Sequence, residues 1–261
     1  MAHRSEGAAG ATGMAECRLS DAEAGWIVNQ VLHRQFSGHA DGNAGIKTTG
    51  AVPAERPLVA IVDDDLDVRT ALAELLLSVG IDAAAFGSTR DWLESELTAR
   101  PGCMILDVRM PGSSGLDLQQ HLSQRGDTKP IIFVTGHGDI PMSVQAMKAG
   151  AVDFLTKPVR DQTLLDAVTI AIDRDSAQRA EADTVRRHLD LLATLTPRER
   201  QVLREVTRGR LNKQIAFDLG ISQITVKLHR SNVMRKMQAG SVGDLIRAWE
   251  MLPASAREER P

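Results

Sequence analysis

Short runs of apolar residues alternate with segments of helical periodicity through the middle of the chain. Leu58–Val62 is continuously apolar, as a strand covered on both faces would be. Asp67–Val79 follows with Val68, Leu72, Leu75, Leu76 and Val79 on one helical face, and Gly80 stops it. Ile81–Phe86 reads as a strand, and Ser88 caps a helix carrying Trp92, Leu93 and Leu97. Cys103–Leu106 is the next strand, with a helix from about Gly115 to Gln124. Ile131–Val134 is followed by a helix that Asp139 caps and that ends at Ala149-Gly150. Val152–Leu155 is the last strand, before a helix beginning near Asp161. Five such repeats predict an α/β fold with a doubly wound, five-stranded parallel sheet.

The last of these helices lacks a stop. Residues 161–190 contain neither Gly nor Pro, so a long linker helix is expected to lead into the tail. The tail reads as four helices of a small all-α domain. Thr196-Pro197-Arg198-Glu199 supplies a capping residue, a first-turn proline and a capping-box glutamate. Asn212–Leu219 ends at Gly220, Ser222–Met237 is longer, and Ser241 with Asp244 opens the fourth. Only Leu219-Gly220-Ile221-Ser222 separates the second from the third, which is helix-turn-helix spacing. The expected domains are therefore 57–175, a linker at 176–191, 192–252, and a tail at 253–261.

Residues 1–56 break the pattern. They hold 11 Ala and 8 Gly, a composition that reads as a mostly disordered extension. Within it, Ser20 and Glu23 form a capping box ahead of Trp26, Ile27, Val31, Leu32 and Phe36, which suits a short amphipathic helix. The overall charge of −3 conceals an asymmetry. Residues 57–160 carry 9 Lys/Arg against 14 Asp/Glu, whereas residues 191–261 carry 13 against 7. A basic tail behind an acidic front points to an anionic partner, nucleic acid above all. Cys17 and Cys103 make no disulfide framework or zinc motif, and Cys103 reads as a core residue. No segment approaches the ~20 apolar residues of a membrane span, and no secretory signal is visible, so a cytoplasmic location without membrane contact is expected.

The candidate chemistry lies where the strands end. Val62 leads into Asp63-Asp64-Asp65, Leu106 into Asp107, Val134 into Thr135-Gly136, and Phe154-Leu155-Thr156 into Lys157-Pro158. Parallel neighbours would gather these ends at the edge where open α/β sheets bind ligands. Grouped carboxylates repel unless a divalent cation binds them, and Mg²⁺ suits an all-oxygen site. One carboxylate could then serve as nucleophile and become an acyl phosphate.

With these residues in hand, positions 57–175 resemble the receiver domain of two-component response regulators. The resemblance rests on Val62-Asp63-Asp64, on Asp107 followed by Met110-Pro111-Gly112, on Val134-Thr135-Gly136 and on Lys157-Pro158. It implies that Asp107 accepts phosphate from a histidine kinase. Asp64, Asp107 and the backbone carbonyl of Arg109 would hold Mg²⁺, with Asp63 acting largely through water. Lys157 would pair with the phosphoryl group, Thr135 would hydrogen-bond it, and Phe154 would be the switch aromatic. The family's Lys–Pro bond is commonly cis, an arrangement expected at Lys157–Pro158.

Residues 192–252 resemble the LuxR/FixJ-type helix-turn-helix domain through Leu195-Thr196-Pro197-Arg198-Glu199-Arg200, Asn212-Lys213-Gln214-Ile215-Ala216, Leu219-Gly220-Ile221-Ser222, and Thr225-Val226-Lys227 with His229-Arg230. Helical geometry puts Val226, His229, Val233 and Met237 on a core stripe, with His229 a packed structural residue. The opposite face carries Ile224, Lys227, Leu228, Ser231 and Arg235 and would enter the major groove of double-stranded DNA. Lys227 would reach guanine, and Ile224 and Leu228 thymine methyls. Lys213, Thr225, Arg230 and Arg235 suit phosphate contacts. The resemblance implies a transcription factor that pairs as a homodimer on phosphorylation, with RNA polymerase among its conceivable partners. No enzymatic activity beyond its own Mg-dependent phosphorylation is expected from the resemblance. A rival reading takes Asp65-Leu66-Asp67-Val68 as the nucleophile motif of a haloacid-dehalogenase-type phosphatase, in which Asp65 would be essential.

Overall fold

The structure is a computed structural model, and it describes residues 56–136 and 139–258, apart from the side chain of residue 113. The expected disordered extension and the Ser20–Phe36 helix lie outside the described residues. Contacts divide the chain between Asp173 and Arg174 into two compact units.

The first unit contains strands β1 (Leu58–Val62), β2 (Asp82–Phe86), β3 (Gly102–Leu106), β4 (Ile131–Thr135) and β5 (Asp153–Thr156). Helices α1 (Leu66–Ser78), α2 (Thr89–Glu94), α3 (Gly115–Gln124) and α4 (Ile140–Lys148) connect them. These five strands pair in parallel, in the order β2-β1-β3-β4-β5. Strand alternation builds two cores. Val59, Ile61, Cys103, Ile105, Ile132 and Val134 cluster with Leu72, Ala73 and Leu76 of α1 and with Leu164, Ala167, Val168 and Ala171 beyond β5, while Ala60, Val62, Met104, Leu106, Ile131 and Phe133 cluster with Trp92, Leu118, Leu122 and Ala146. Because the winding reverses between β1 and β3, a crevice opens at their carboxyl ends, the usual ligand position of such sheets.

Several local expectations are corrected. Helix α1 begins at Leu66, since Asp65 is its cap and accepts from the amides of Asp67 and Val68. Val79 is half exposed as its last-turn cap rather than part of the buried face. The helix after Ser88 ends at Glu94, so Leu97 falls in a separate 3-10 turn, and Leu93 is exposed. A two-residue antiparallel hairpin, Arg109–Met110 against Ser113–Ser114, follows Asp107 and was not foreseen.

Helix α5 runs unbroken from Asp161 to Ala193, as the absence of Gly and Pro predicts. In the second unit α6 (Pro197–Thr207), α7 (Asn212–Leu219), α8 (Gln223–Lys236) and α9 (Val242–Met251) are joined by a short fifth helix, α10 (Ala254–Glu258), in the expected tail. Leu192, Leu195, Val202, Leu203, Val206, Ile215, Val226, Val233, Met237 and Leu245 form their core. The α7–α8 turn needs a left-handed residue, and Gly220 supplies it with φ of 62°. The Ile221 amide then donates back to the Ala216 carbonyl at 3.0 Å. No helix among the described residues is long and apolar enough to cross a membrane.

Candidate functional site

The strand-end residues meet as the sequence predicts. Carboxylate oxygens of Asp63, Asp64 and Asp107 lie within 4.8 Å of one another. Asp63 and Asp107 are buried and Asp64 is exposed. The Lys157 ammonium reaches into the group, donating to Asp63 Oδ2 at 2.5 Å and to Asp107 Oδ2 at 3.2 Å. Asp63 Oδ1 accepts the Asp65 amide at 3.0 Å, so both of its oxygens are engaged. The Arg109 amide donates to Asp107 Oδ1 at 3.3 Å. Thr135 is buried at the end of β4, and its carbonyl accepts the Lys157 amide at 2.9 Å. Phe154 is half-buried, with its ring 5.9 Å from that of Phe133. The Lys157–Pro158 bond is cis.

The local backbone explains this convergence. Gly115 opens α3 directly against the end of β3, where a Cβ would stand 2.2 Å from the Asp107 carbonyl oxygen. The Gly115 amide and the Ser114 hydroxyl both donate to the Val108 carbonyl, at 2.9 and 3.1 Å, closing the hairpin under Asp107. Beside the carboxylates lies an open cavity of about 730 Å³, bordered by Asp64, Arg109, Met110, Pro111, Asp117 and Met142.

Electrostatics mark the group as tense. Burial pushes the Asp63 carboxyl above its usual range, and the Asp107 charge adds to this; hydrogen bonds from Lys157 and the Asp65 amide only partly offset it. Burial alone would depress the Lys157 ammonium, yet its bonds and charge pairing with Asp63 and Asp107 hold it above its ordinary value. Two of the three carboxylates share one ammonium, and together the three form an all-oxygen donor set that fits a hard divalent cation. Asp65, the residue on which the phosphatase reading depends, is occupied in capping α1: its Oδ1 accepts from Asp67 at 2.9 Å and Val68 at 3.3 Å.

In the second unit the faces of α8 fall as expected. Val226, Val233 and Met237 are buried, while Ile224, Lys227, Leu228, Ser231 and Arg235 are exposed. Ile224 is 80% exposed and Leu228 60%, too open for core residues. His229 is half-buried, with its Nδ1 enclosed and unpaired. Lys213 is exposed on α7. Two of the expected phosphate contacts also hold the fold: Thr225 Oγ1 lies 2.8 Å from Ser222 Oγ, and Arg230 Nη1 donates to Asn212 Oδ1 at 2.9 Å, tying α7 to α8. Sequence reasoning missed Asn212 in this role and missed Phe217, which is 87% exposed on α7. It also missed Lys236, whose ammonium bonds the buried Glu199 at 2.7 Å.

Both units match known families. Residues 59–169 match the response regulator receiver domain, and residues 193–249 match bacterial regulatory proteins of the luxR family. Nodulation protein W of Bradyrhizobium diazoefficiens is 51% identical over 201 residues, covering 77% of this chain and 88% of that protein. The chain is a response regulator. It belongs with the two-component transcriptional regulators that join a receiver domain to a LuxR-type DNA-binding domain. The response regulator protein TodT of Pseudomonas putida is 48% identical to this regulator over 76% of the chain and 87% of its own length. Among solved structures, the response regulator StyR aligns with a TM-score of 0.68 and 44% identity, over 75% of this regulator and 99% of that chain.

Proposed function

We propose that Asp107 is the phosphoacceptor of this regulator and that its phosphorylation promotes pairing and sequence-specific DNA binding. The observation that carries the reading is the Lys157 ammonium set between Asp63 and Asp107, with Asp64 completing the carboxylate group. In the transfer step an Asp107 oxygen forms a bond to phosphorus as the P–N bond of a kinase phosphohistidine breaks. The imidazole leaves with the electron pair and takes up a proton. Asp64 and Asp107 would hold Mg²⁺ with the Arg109 carbonyl, and Asp63, whose oxygens are already engaged, would act through water. The bound ion would offset charge on the phosphoryl oxygens. Lys157 would exchange its Asp107 bond for one to the phosphoryl group, Thr135 would supply a hydroxyl bond, and Phe154 would repack against Phe133.

Phosphate adds about −1.5 to −2 charges at this edge. Allosteric couplings of ~1–3 kcal/mol correspond to shifts of roughly 5–150-fold, so a graded response is expected. Pairing through the face of α4, β5 and the start of α5 is supported by an exposed apolar stripe on α4, Ile140, Val144 and Met147. Two tails so joined would present two α8 helices to a near-palindromic duplex, Lys227, Ile224 and Leu228 to base edges and Lys213, Thr225, Arg230, Ser231 and Arg235 around them. A histidine kinase is the upstream partner, and RNA polymerase a downstream one. The site modifies itself and turns over no external substrate.

The test is to treat the full chain with a small acyl phosphate and Mg²⁺, map the modified residue, and measure self-association and duplex affinity. Phosphate on Asp107 with tighter binding supports the reading, and Asp107→Asn should not respond. Label on another residue, or a donor response retained by Asp107→Asn, would overturn it.

A further inference from the structure

The guanidinium of Arg69 takes no part in the chemistry so far described, yet it is buried beside it. Arg69 lies on the inner stripe of α1 with Leu72, Ala73 and Leu76 and is 6% exposed. Burying a cation is costly unless its hydrogen bonds do something the fold requires. Its Nη1 donates to the Asp63 carbonyl at 2.6 Å, and the guanidinium lies against Gly87 at the end of β2. The Asp63 amide is bonded there too, to the Phe86 carbonyl at 3.2 Å.

Asp64 supplies the reason. Its carboxylate is exposed and receives no hydrogen bond among the described residues, yet an oxygen of it falls within the three-carboxylate group. Its aim must therefore come from the main chain. The peptide before Asp64 is pinned through its carbonyl by Arg69, and the peptide after it through the Asp65 amide, which donates to Asp63 Oδ1 at 3.0 Å. Peptide units are rigid planes, so fixing both neighbours fixes the φ and ψ of Asp64 and leaves only side-chain rotation. We propose that Arg69 is a positioning residue for the cation site, clamping the Asp63–Asp64 peptide so that the Asp64 carboxylate points at Asp107. The inference rests on the reading that these carboxylates hold Mg²⁺.

Titration calorimetry with Mg²⁺ on the full chain, without any phosphodonor, tests it. Arg69→Met should weaken Mg²⁺ binding by roughly 10–100-fold, the range for partners that orient metal ligands. Arg69→Lys, with one donor nitrogen in place of a planar fork, should fall between. In an Asp64→Asn background Arg69→Met should add little, because the clamp acts through Asp64. A metal-free readout is amide exchange at Asp64 and Asp65, expected to quicken in Arg69→Met while the urea midpoint gauges general loss of stability. Unchanged Mg²⁺ affinity in folded Arg69→Met or Arg69→Lys, or an equal loss with and without Asp64→Asn, would overturn the clamp and leave the phosphorylation reading intact. A wild-type chain that binds no Mg²⁺ would remove the cation reading and the clamp together.

Discussion

Replacing Glu199 with glutamine should loosen α8 without touching its exposed face. Glu199 is buried near the start of α6, and its Oε2 accepts both the Thr196 amide at 2.9 Å and the Lys236 ammonium at 2.7 Å. Lys236 closes α8 and also donates to the Thr194 carbonyl at 3.1 Å, so this carboxylate ties α8 to the cap of α6. Glutamine can still serve in a capping box but brings no charge. A hydrogen bond to a charged group is worth ~1.5–3 kcal/mol, and Lys236 keeps some water contact, so a loss of about 1–2 kcal/mol is expected. Glu199→Ala also removes the cap, worth ~1 kcal/mol more. Hydrogen exchange of α6 and α8 peptides in the full chain reads this directly, and 1–2 kcal/mol corresponds to roughly 5–30-fold faster exchange. The pH dependence has a definite sign. Burial would raise the Glu199 carboxyl, but Lys236 and the Thr196 amide and hydroxyl outweigh it and hold it below its ordinary value of 4.5. Its stabilisation is thus present above 4.5 and lost as pH falls through the lowered value, so the variant and wild type should converge on acidification. Equal exchange at neutral pH, or a gap that persists in acid, would refute the reasoning.

Other outcomes follow from the same geometry. Gly115→Ala should cost ~1–3 kcal/mol in urea unfolding, since its Cβ would press on the Asp107 carbonyl, and should impair phosphorylation from a small donor. Lys227→Ala should weaken binding to a selected duplex by ~1–3 kcal/mol and relax base preference at one position, as a competition assay over variant sites would reveal. Lys213→Ala should weaken all duplexes alike and reduce the salt dependence of binding by about one unit of slope; an unchanged slope would remove it from the phosphate contacts. Asp65→Ala should leave phosphorylation in place and lower stability by ~0.5–2 kcal/mol through the lost cap, whereas abolished phosphorylation would revive a catalytic part for Asp65.

Strand ends and helix caps were the most legible parts of the chain. Asp63, Asp107, Thr135 and Lys157 each terminate an apolar run, so the fold class and the meeting point followed together. Ser88, Asp139, Thr196 and Ser241 all cap helices where the pattern placed them, while Ser222, read as the first helical residue, is itself a cap. What escaped were contacts between side chains distant in sequence, because no local period encodes them. Lys236 with Glu199 and Arg230 with Asn212 are of this kind. Arg69 is different, since it stands three, four and seven residues before Leu72, Ala73 and Leu76 on the apolar stripe of α1. A charge at that spacing was a visible signal of a buried cation. The hairpin after Asp107 was hidden because two-residue ladders leave no hydrophobic alternation to detect.

The sheet's double-sided burial also governs where this protein can change length. Residues 102–106 are inward-facing on both sides, so adding or deleting one residue there would swap the partners of Cys103 and Ile105 with those of Met104 and Leu106. The same slip would turn the carboxylate at the strand's end half a revolution away from Lys157. Length variation in descendants of this gene should therefore collect at the opposite ends of the strands, around Gly80 or Gly126, where turns meet open space. There, drift can lengthen a loop and leave the bearing of Asp107 unaltered.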